Sequence, residues 1–381
     1  EHWDVYASMF GGIPTAEIEE LGEFWTAFPA LKKALFTESG IPYVNVSVDD
    51  IKSAIKSHPD VVGFEDAFNA AFSTFPAFLK EELIDRMESI EISKAETVLS
   101  ADIFERLNDI PLIDKYAAFQ LLDDDWTGIS IDLEVLQTEG FSATKEVNPN
   151  LVIKKKDGKD QEVQEGWVGH IIPFDLVQAT LLSAETDELH GLESRLAEIP
   201  SEYESILDEM TEEDKESCND VLTEEGDAFV PKEVSKKIKE LKKDRSPESV
   251  ALRTLLEKVE SLVKSEKEIK AEIKAKSAAL QAKTKDTIER LSDEQALDLL
   301  EKKWIAPLIE SIHKLPDTVI DSLVSKIQAL QNKYATTFFE VEQQISETEA
   351  TLSGMIDDLE GNEYDMLGLN ELKKLLGGSA E

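Results

Sequence analysis

Several features common in enzymes are scarce or missing in this sequence. The 381 residues include one cysteine and five histidines. A lone cysteine, Cys218, excludes an internal disulfide and a four-cysteine zinc site, which favours a reducing, cytoplasmic setting. The histidines are scattered, and the sequence has no His-Glu-x-x-His motif, Walker loop or Gly-x-Gly-x-x-Gly loop. The residues alone therefore predict no catalytic, cofactor or metal site.

Positive charge and long apolar runs are also scarce. The chain has 80 acidic against 40 basic residues, a net charge of -40. Such a charge repels nucleic acid on average and favours solubility. No stretch approaches the roughly 20 apolar residues of a membrane-spanning helix, so we expect no membrane segment. The chain opens on Glu1 instead of Met, and we interpret it as part of a longer protein.

Helical periodicity is the main signal in the first part of the chain. Phe64, Phe68, Phe72 and Phe75 recur at helical spacing, which favours a packed helical core over a surface that stacks bases. Ser100 is expected to open a further helix. The three carboxylates 123–125 do not share a face, so we expect a solvated loop there instead of a metal site. Residues 1–125 are predicted to form a helical domain.

Residues 126–175 form a mixed segment. Alternating apolar residues at 129–135 fit a strand, whereas 132–140 equally fit a short helix, and both interpretations stay open. A small β-hairpin is predicted near 145–170, because Asp157-Gly158 between two extended runs suits a tight turn. The preceding Asn148-Pro149-Asn150-Leu151 lacks the second proline and the aromatic ring of adenine methyltransferase motifs, and is interpreted as a turn.

The remaining sequence divides by charge. Residues 176–230 are predicted to be an acidic helical linker, since 201–230 hold 12 acidic residues and one basic residue. Residues 231–290 reverse the sign, with 17 basic against 11 acidic residues. Either this basic region contacts phosphate or its lysines pair with nearby glutamates. The candidate DNA-backbone contacts are Lys154, Lys155, Lys156, Lys236, Lys237, Lys242, Lys243 and Arg245.

Long helices are predicted over residues 231–381. Apolar residues from Leu252 to Leu291 follow coiled-coil-like steps of three and four. Ser292 and Gln295 form a capping box, and a further helix is expected from Pro316 to Leu359, about 65 Å long. We expect antiparallel packing, either within the chain or against a partner's helices. The candidate partner-helix contacts are Leu323, Ile327, Leu330, Tyr334, Val341, Ile345 and Leu352.

Several stretches resemble the C-terminal region of the modification (M) subunit of type I restriction–modification DNA methyltransferases, and the resemblance spans nearly the whole chain. The matching pieces are His2-Trp3-Asp4-Val5-Tyr6, Phe10-Gly11-Gly12-Ile13-Pro14, Phe24-Trp25-Thr26-Ala27-Phe28-Pro29, Pro111-Leu112-Ile113-Asp114 with Tyr116, Asp132-Leu133-Glu134, Gly166-Trp167-Val168-Gly169, Ile172-Pro173-Phe174 with Gln178, and Lys302-Lys303-Trp304-Ile305.

The resemblance implies a function for the parent protein. The family's full-length subunit is an adenine-N6 DNA methyltransferase that uses S-adenosylmethionine. Two such subunits assemble with one specificity subunit, and restriction subunits join that core on double-stranded DNA. The catalytic domain precedes the region resembled here, and its Asn-Pro-Pro-aromatic motif and cofactor loop have no counterpart in this sequence. No catalytic or cofactor-binding residue is therefore carried over, and contact with the specificity subunit is what the resemblance implies.

Two other classes of function compete with this interpretation. A charge of -40 also suits an acidic helical interaction protein or DNA mimic with no methyltransferase link. A stand-alone enzyme would have to show turnover or tight binding of S-adenosylmethionine by this chain alone. The DNA target and the oligomeric state do not follow from the sequence.

Overall fold

The structure is a computed structural model. Helices make up most of it, and the predicted mainly α fold class is confirmed. One small sheet, a two-stranded antiparallel hairpin, is present in the part of the chain that is described. No helix there combines the length and apolar content needed to cross a bilayer. The structure describes residues 12–36, 44–156, 159–223, 226–244, 246–336, 338–357, 359 and 363–376.

Two compact units share the described residues. Unit 1 combines the residues up to Arg86 with Ile90–Ser130 and those from Ile305 on, and unit 2 combines Met87–Ser89 with Ile131–Trp304. This grouping differs from the four consecutive segments drawn from composition. Long-range packing brings the beginning and the end of the chain into one unit, and composition carries no information about such packing.

The predicted phenylalanine core forms part of unit 1. Phe68 and Phe72 stack with ring centroids 4.7 Å apart, and Phe72 meets Phe75 edge to face at 5.4 Å. All four phenylalanines of the stripe are buried, so the core interpretation is confirmed. The elements of this part are α1 (Thr15–Glu19), α2 (Gly22–Ala27), α3 (Pro29–Leu35), α4 (Ile51–Lys56), α5 (Pro59–Phe72), α6 (Phe75–Leu79), a π-helical segment (Lys80–Asp85) and α7 (Ile92–Arg106).

Helix α7 corrects one boundary. Ser100 lies inside this helix and does not open one. Its hydroxyl donates to the carbonyl of Thr97, on the preceding turn, at 3.1 Å, so the side chain makes its hydrogen bond within the helix.

Helix α8 (Lys115–Glu139) resolves the open choice at residues 126–140 in favour of a helix. Its buried side chains follow steps of three and four, and Ile131, which completed the apparent alternation, is 56% exposed. The carboxylates 123–125 lie within the same helix, so the loop prediction is wrong. The buried positions of this row are Leu122, Trp126, Ile129, Leu133 and Leu136.

The predicted hairpin is confirmed, and both of its strands lie within the expected range 145–170. Strand β1 (Val147–Lys156) pairs antiparallel with β2 (Lys159–Gly169), with Val147 opposite Gly169. The stretch expected to be a turn at 148–151 is part of β1, where the register shifts between Pro149 and Leu151. Proline has no N–H to donate, which suits such an irregularity. The predicted turn residues 157–158 lie outside the described residues.

Unit 2 is organised around one long helix. Its helices are α9 (Phe174–Leu181), α10 (Ser183–Glu209), α11 (Glu212–Ser217), α12 (Pro231–Leu241), α13 (Pro247–Glu289) and α14 (Asp293–Trp304). Helix α13 spans 43 residues, about 65 Å. Helix α10 packs against it in antiparallel fashion, since Glu185 pairs with Lys283 and Glu209 with Lys258. The predicted capping box opens α14, where Ser292 N–H donates to Gln295 Oε1 at 3.0 Å and Gln295 N–H to Ser292 Oγ at 3.1 Å.

The acidic segment expected to be a helical linker is helical but packed, and its charge run forms a helix surface, which is the alternative to a solvated linker. Ile206, Met210 and Cys218 are buried and share one apolar cluster with Val234 of α12 and Leu256 of α13. The carboxylates lie on the outer faces of helices whose inner faces are apolar. A high charge density therefore described the surface of this segment and not its role.

The chain from Ile305 onward forms shorter helices than predicted. They are α15 (Ala306–His313), α16 (Leu315–Lys333), α17 (Phe338–Asp357) and α18 (Glu363–Leu376). The single helix expected from Pro316 to Leu359 is thus two helices. The break follows Lys333, where Tyr334 and Thr336 are weak helix formers. The Tyr334 hydroxyl donates to Glu17 Oε1 at 2.5 Å.

Candidate functional site

The basic cluster on α12 is a candidate surface for phosphate. The helix begins at Pro231, and its apolar face buries Val234 and Ile238. Lys237 Nζ donates to the carbonyl of Ser217 at 2.7 Å and pairs with Asp220 at 3.0 Å. Lys237 therefore contributes to the packing of the chain itself.

The other lysines of this cluster are more exposed. Lys236 pairs with Glu233 at 3.2 Å, and that hydrogen bond raises the pKa of Lys236, which stays cationic. Lys239, Lys242 and Lys243 are exposed, and they form no ion pair with the residues that the structure describes. Three exposed cations thus lie together at the end of α12.

Four predicted phosphate contacts lack a described side chain. Lys154, Lys155 and Lys156 lie in β1 by their backbone, and Arg245 lies outside the described residues.

Most lysines of α13 are used in ion pairs. Lys276 pairs with Glu188 of α10 and with Glu272, and Lys270 pairs with Glu266. The basic region therefore balances acidic α10 along much of its length. This is the alternative in which lysines pair with nearby glutamates.

The predicted partner-helix residues fall into two groups. Leu323 and Ile327 on α16 are fully buried by unit 1 itself. Helix α16 packs against α4, and Lys56 of α4 pairs with Asp317 at 2.5 Å. These two apolar positions are therefore already covered by the chain.

Leu330 on α16 and Tyr334, which directly follows the end of that helix, are half-buried. The hydrogen bonds from Lys333 and Tyr334 lower the pKa of Glu17, so this carboxylate stays charged and holds the end of α16.

An exposed apolar row lies on α17. Val341, Ile345 and Leu352 are 42%, 53% and 44% exposed, and Met355 continues the row. Helix α17 contacts α18. The same helix carries five acidic residues and no basic ones between 338 and 357. It therefore combines an uncovered apolar row with an acidic polar face.

A buried polar cluster connects two of the stretches that carry the family resemblance. Trp304 Nε1 donates to Asp132 Oδ2 at 2.8 Å, and Lys303 Nζ donates to the same oxygen and to the carbonyl of Ile171 at 2.7 Å. Asp132 is 8% and Trp304 1% exposed. Sequence reasoning missed this contact, although both stretches belong to the resemblance. The cluster brings together no nucleophile among the described residues, and it holds α8, α14 and the Ile171 segment together.

A third stretch of the resemblance is also explained by packing. A Cβ added to Gly169 would overlap the carbonyl oxygen of Ile172 and meet Ile288 Cδ1 at 3.6 Å. Glycine is therefore required at 169, because the chain turns back and brings the Ile172 carbonyl, three residues later, against it. Gln178 Nε2 donates to Thr284 Oγ1 at 3.1 Å nearby.

The remaining chemical candidates show no arrangement for catalysis in the part of the chain that the structure describes. Burial raises the pKa of Asp125, with Asp124 adding to the effect, and burial together with Asp123 raises the pKa of Glu96. No group of three potential metal ligands occurs among the described residues. Burial raises the pKa of the Cys218 thiol, which keeps it neutral and unreactive.

His170 is half-buried and hydrogen-bonded on both sides. Its Nδ1 lies 2.8 Å from Asn148 Nδ2 and its Nε2 lies 2.9 Å from Glu139 Oε2. Both ring nitrogens are thus engaged in holding the base of the hairpin to the end of α8.

Comparison with known proteins adds no further assignment, since no protein-family model, curated protein or solved structure gives a significant match to the chain.

Proposed function

We propose that this chain is the non-catalytic C-terminal part of a type I restriction–modification methyltransferase subunit and acts in the cytoplasm. In this proposal it binds the specificity subunit through α17 and α18, and so brings the parent enzyme into a complex with a second M subunit and restriction subunits. S-adenosylmethionine and the methylation of adenine belong to the catalytic domain of the parent. The exposed row of Val341, Ile345 and Leu352 is the observation that carries the proposal.

The physical case rests on the cost of leaving such a row in water. Burying an apolar side chain of this size gains about 1.5–3 kcal/mol relative to full exposure. Three or more such side chains on one helix can supply a specific helix–helix contact. The acidic polar face of α17 favours a partner helix with basic flanks, because opposite charges steer association.

Contact with the DNA backbone is the second part of the proposal. Lys239, Lys242 and Lys243 lie together and carry no competing carboxylate among the described residues. They are better candidates than Lys237, which is bound to Ser217 and Asp220. Each phosphate contact would release counterions and make binding of the assembled complex sensitive to salt.

The test of assembly is light scattering after size-exclusion chromatography, on the full chain mixed with the specificity subunit encoded beside its parent gene. We expect a stable complex that Ile345→Lys weakens about tenfold or more, since it places a charge in the apolar row. Gln343→Lys is the matched control, because it adds the same charge on the opposite face of α17. Both positions are exposed, so neither change should alter the thermal unfolding midpoint.

The test of DNA contact uses the assembled complex. Replacing Lys239, Lys242 and Lys243 with Gln should lower the slope of log affinity against log salt by roughly 0.9 for each phosphate that these lysines neutralise. The control replaces Lys267, Lys274 and Lys302 with Gln. These lysines are exposed outside the α12 cluster, so the control removes the same number of positive charges. An equal slope in both triple variants would contradict the proposed contact.

A DNA mimic is the competing proposal, and the net charge of -40 favours it. A mimic would bind a DNA-binding enzyme in competition with duplex DNA and would ignore the specificity subunit. Failure of the chain to join that subunit, combined with such competition, would replace the assembly proposal.

A further inference from the structure

We propose that a cavity in unit 2 binds an organic cation, an ammonium or guanidinium group on an apolar stem of side-chain size. The cavity has a volume of about 300 Å³ and lies between α10, α13 and the segment that precedes α12. Its lining includes no residue of the α17 row and none of the α12 lysines, so this inference is independent of the proposed function.

Two aromatic rings line the cavity. Tyr203 of α10 and Phe229 lie with ring centroids 6.3 Å apart and planes inclined by 52°. Leu207 and Val263 add apolar surface, and Pro200 and Pro231 complete the rim. The face of a neutral aromatic ring attracts a cation, so a lining of aromatic and apolar side chains suits a cation on an apolar stem.

The chain holds Phe229 in place by backbone hydrogen bonds. Leu222 and Phe229 form an antiparallel bridge, and Val230 N–H donates to the carbonyl of Val221 at 2.7 Å. Thr223 N–H donates to the carbonyl of Ala228 at 2.9 Å, within the same short loop. The ring is therefore positioned before any ligand arrives, which reduces the entropy lost on binding.

Carboxylates surround the aromatic pair. Glu204, Asp227 and Glu266 line the cavity, and no lysine or arginine is among the described residues that line it. Glu266 accepts a hydrogen bond from the Tyr203 hydroxyl at 3.1 Å and one from Lys270, and the bond from Lys270 is the main cause that lowers the pKa of Glu266. Glu266 is thus charged at neutral pH.

The tyrosine is neutral under the same conditions. Burial, with Glu266 as a second cause, raises the pKa of Tyr203 to about 12. Its ring therefore keeps the electron-rich face of a neutral phenol while its hydroxyl donates to Glu266. Glu204 is exposed and forms no ion pair with the described residues, so its charge is available to a ligand at the mouth.

These features select the charge of the ligand. A phosphate or carboxylate would meet the carboxylates of Glu204 and Asp227 and no cation from the described lining, whereas a cation would meet opposite charge and aromatic rings together. Lys270 already offsets the charge of Glu266, and a neutral apolar molecule would leave Glu204 without a counter-charge. A cation with an apolar stem would contact both the carboxylates and the apolar side chains of the lining.

The experiment titrates choline into the full chain and follows binding by ligand-observed NMR. We expect saturable one-to-one binding with a Kd on the order of 1 mM, as befits a ligand this small. Its uncharged carbon isostere, 3,3-dimethyl-1-butanol, should bind at least about threefold more weakly, because it lacks the cation–π attraction. Equal binding of the two molecules would overturn the proposal.

Variants tie the binding to this cavity. Phe229→Leu keeps an apolar wall but removes a ring, and Glu204→Gln removes an exposed charge without disturbing the fold; each should weaken choline binding about threefold or more. Glu193→Gln, an exposed change on the same helix away from the cavity, is the matched control. If Glu204→Gln and Glu193→Gln bind choline as tightly as the unchanged chain, the cavity is not the site.

A second arm identifies the source of the cation. A glycine-flanked arginine peptide is compared with choline in the same assay. Tighter binding of the peptide assigns the cavity to a partner's side chain, and tighter binding of choline assigns it to a free quaternary ammonium compound.

Discussion

Asp132 shows at the residue scale how one carboxylate can hold distant parts of the chain. Its Oδ2 accepts from Trp304 and Lys303, and Lys303 also holds the carbonyl of Ile171. Removing one partner of a buried pair is costly because the other charge is left without compensation.

We therefore expect Asp132→Ala to lower the free energy of unfolding by about 3 kcal/mol. Denaturant unfolding followed by circular dichroism measures this. The control is Asp298→Ala, which breaks an exposed pair with Lys302 on α14 and should cost less than about 1 kcal/mol. Equal effects of the two substitutions would show that the buried cluster contributes no more than a surface pair.

Gly169 is a second residue-scale case. We expect Gly169→Ala to lower the free energy of unfolding by about 3 kcal/mol, since its Cβ would force the Ile172 backbone to move. Gly191→Ala is the control, because nothing lies within 4 Å of the added atom in the middle of α10. That change should raise stability by about 0.5–1 kcal/mol. A harmless Gly169→Ala would mean that the close approach relaxes freely.

Neither residue stands out in the sequence. Asp132 and Lys303 are 171 positions apart, and each is one of many charged residues in the chain. Gly169 ends β2, and the carbonyl that excludes a side chain there belongs to Ile172, three residues later, so the constraint comes from a local turn. The contact of Asp132 with Lys303 and Trp304 depends on tertiary packing, which periodicity and composition do not encode. The stretches that contain these residues are among those that carry the family resemblance, but the resemblance gave no physical reason for them.

Local signals were the most reliable guide at the element scale. The phenylalanine row and the two strands of the hairpin rest on spacing between residues close in sequence. The row is buried across α5 and α6, and the strands pair as predicted. The apolar alternation at 129–135 suggested a strand, but the segment is helical. Its apolar residues fit both structures, and only their burial shows which of them face the core. The break after Lys333 was missed because apolar spacing continues across it.

The capping box at the start of α14 gives an element-scale prediction. Ser292→Ala removes the hydroxyl that accepts from Gln295 N–H, so we expect the free energy of unfolding to fall by about 1 kcal/mol. Thermal or denaturant unfolding measures the change. Ser346→Ala on exposed α17 serves for comparison and should stay within about 0.5 kcal/mol of the unchanged chain. If the cap does not stabilise the helix, Ser292→Ala and Ser346→Ala will change the free energy of unfolding by the same amount.

The charge distribution acts at the scale of the whole molecule. The ion pairs between α10 and α13 offset charge locally, yet 40 negative charges remain in excess. Like charges held on a compact surface repel one another more than they do along an unfolded chain. Pairing of the lysines with glutamates was one of the two alternatives that the sequence offered, but the sequence did not show that α10 supplies many of those glutamates.

We expect added NaCl, from roughly 10 to 300 mM, to raise the thermal unfolding midpoint by about 2–4 °C, because salt screens this repulsion. Differential scanning calorimetry measures the shift. Sodium chloride is preferred to sulfate, which strengthens apolar burial by itself. A midpoint that falls with salt would show that attractive pairs outweigh the net repulsion.

The division into two units also sets an order of events during synthesis. Apart from three residues at 87–89, unit 2 is continuous from Ile131 to Trp304, whereas unit 1 needs residues from both before and after it. A ribosome therefore releases every residue of unit 2 before it completes unit 1. The Phe-rich helices at the beginning must wait, partly uncovered, for α15 and α16 to be made. Chaperones that bind nascent chains have their clearest target in that interval.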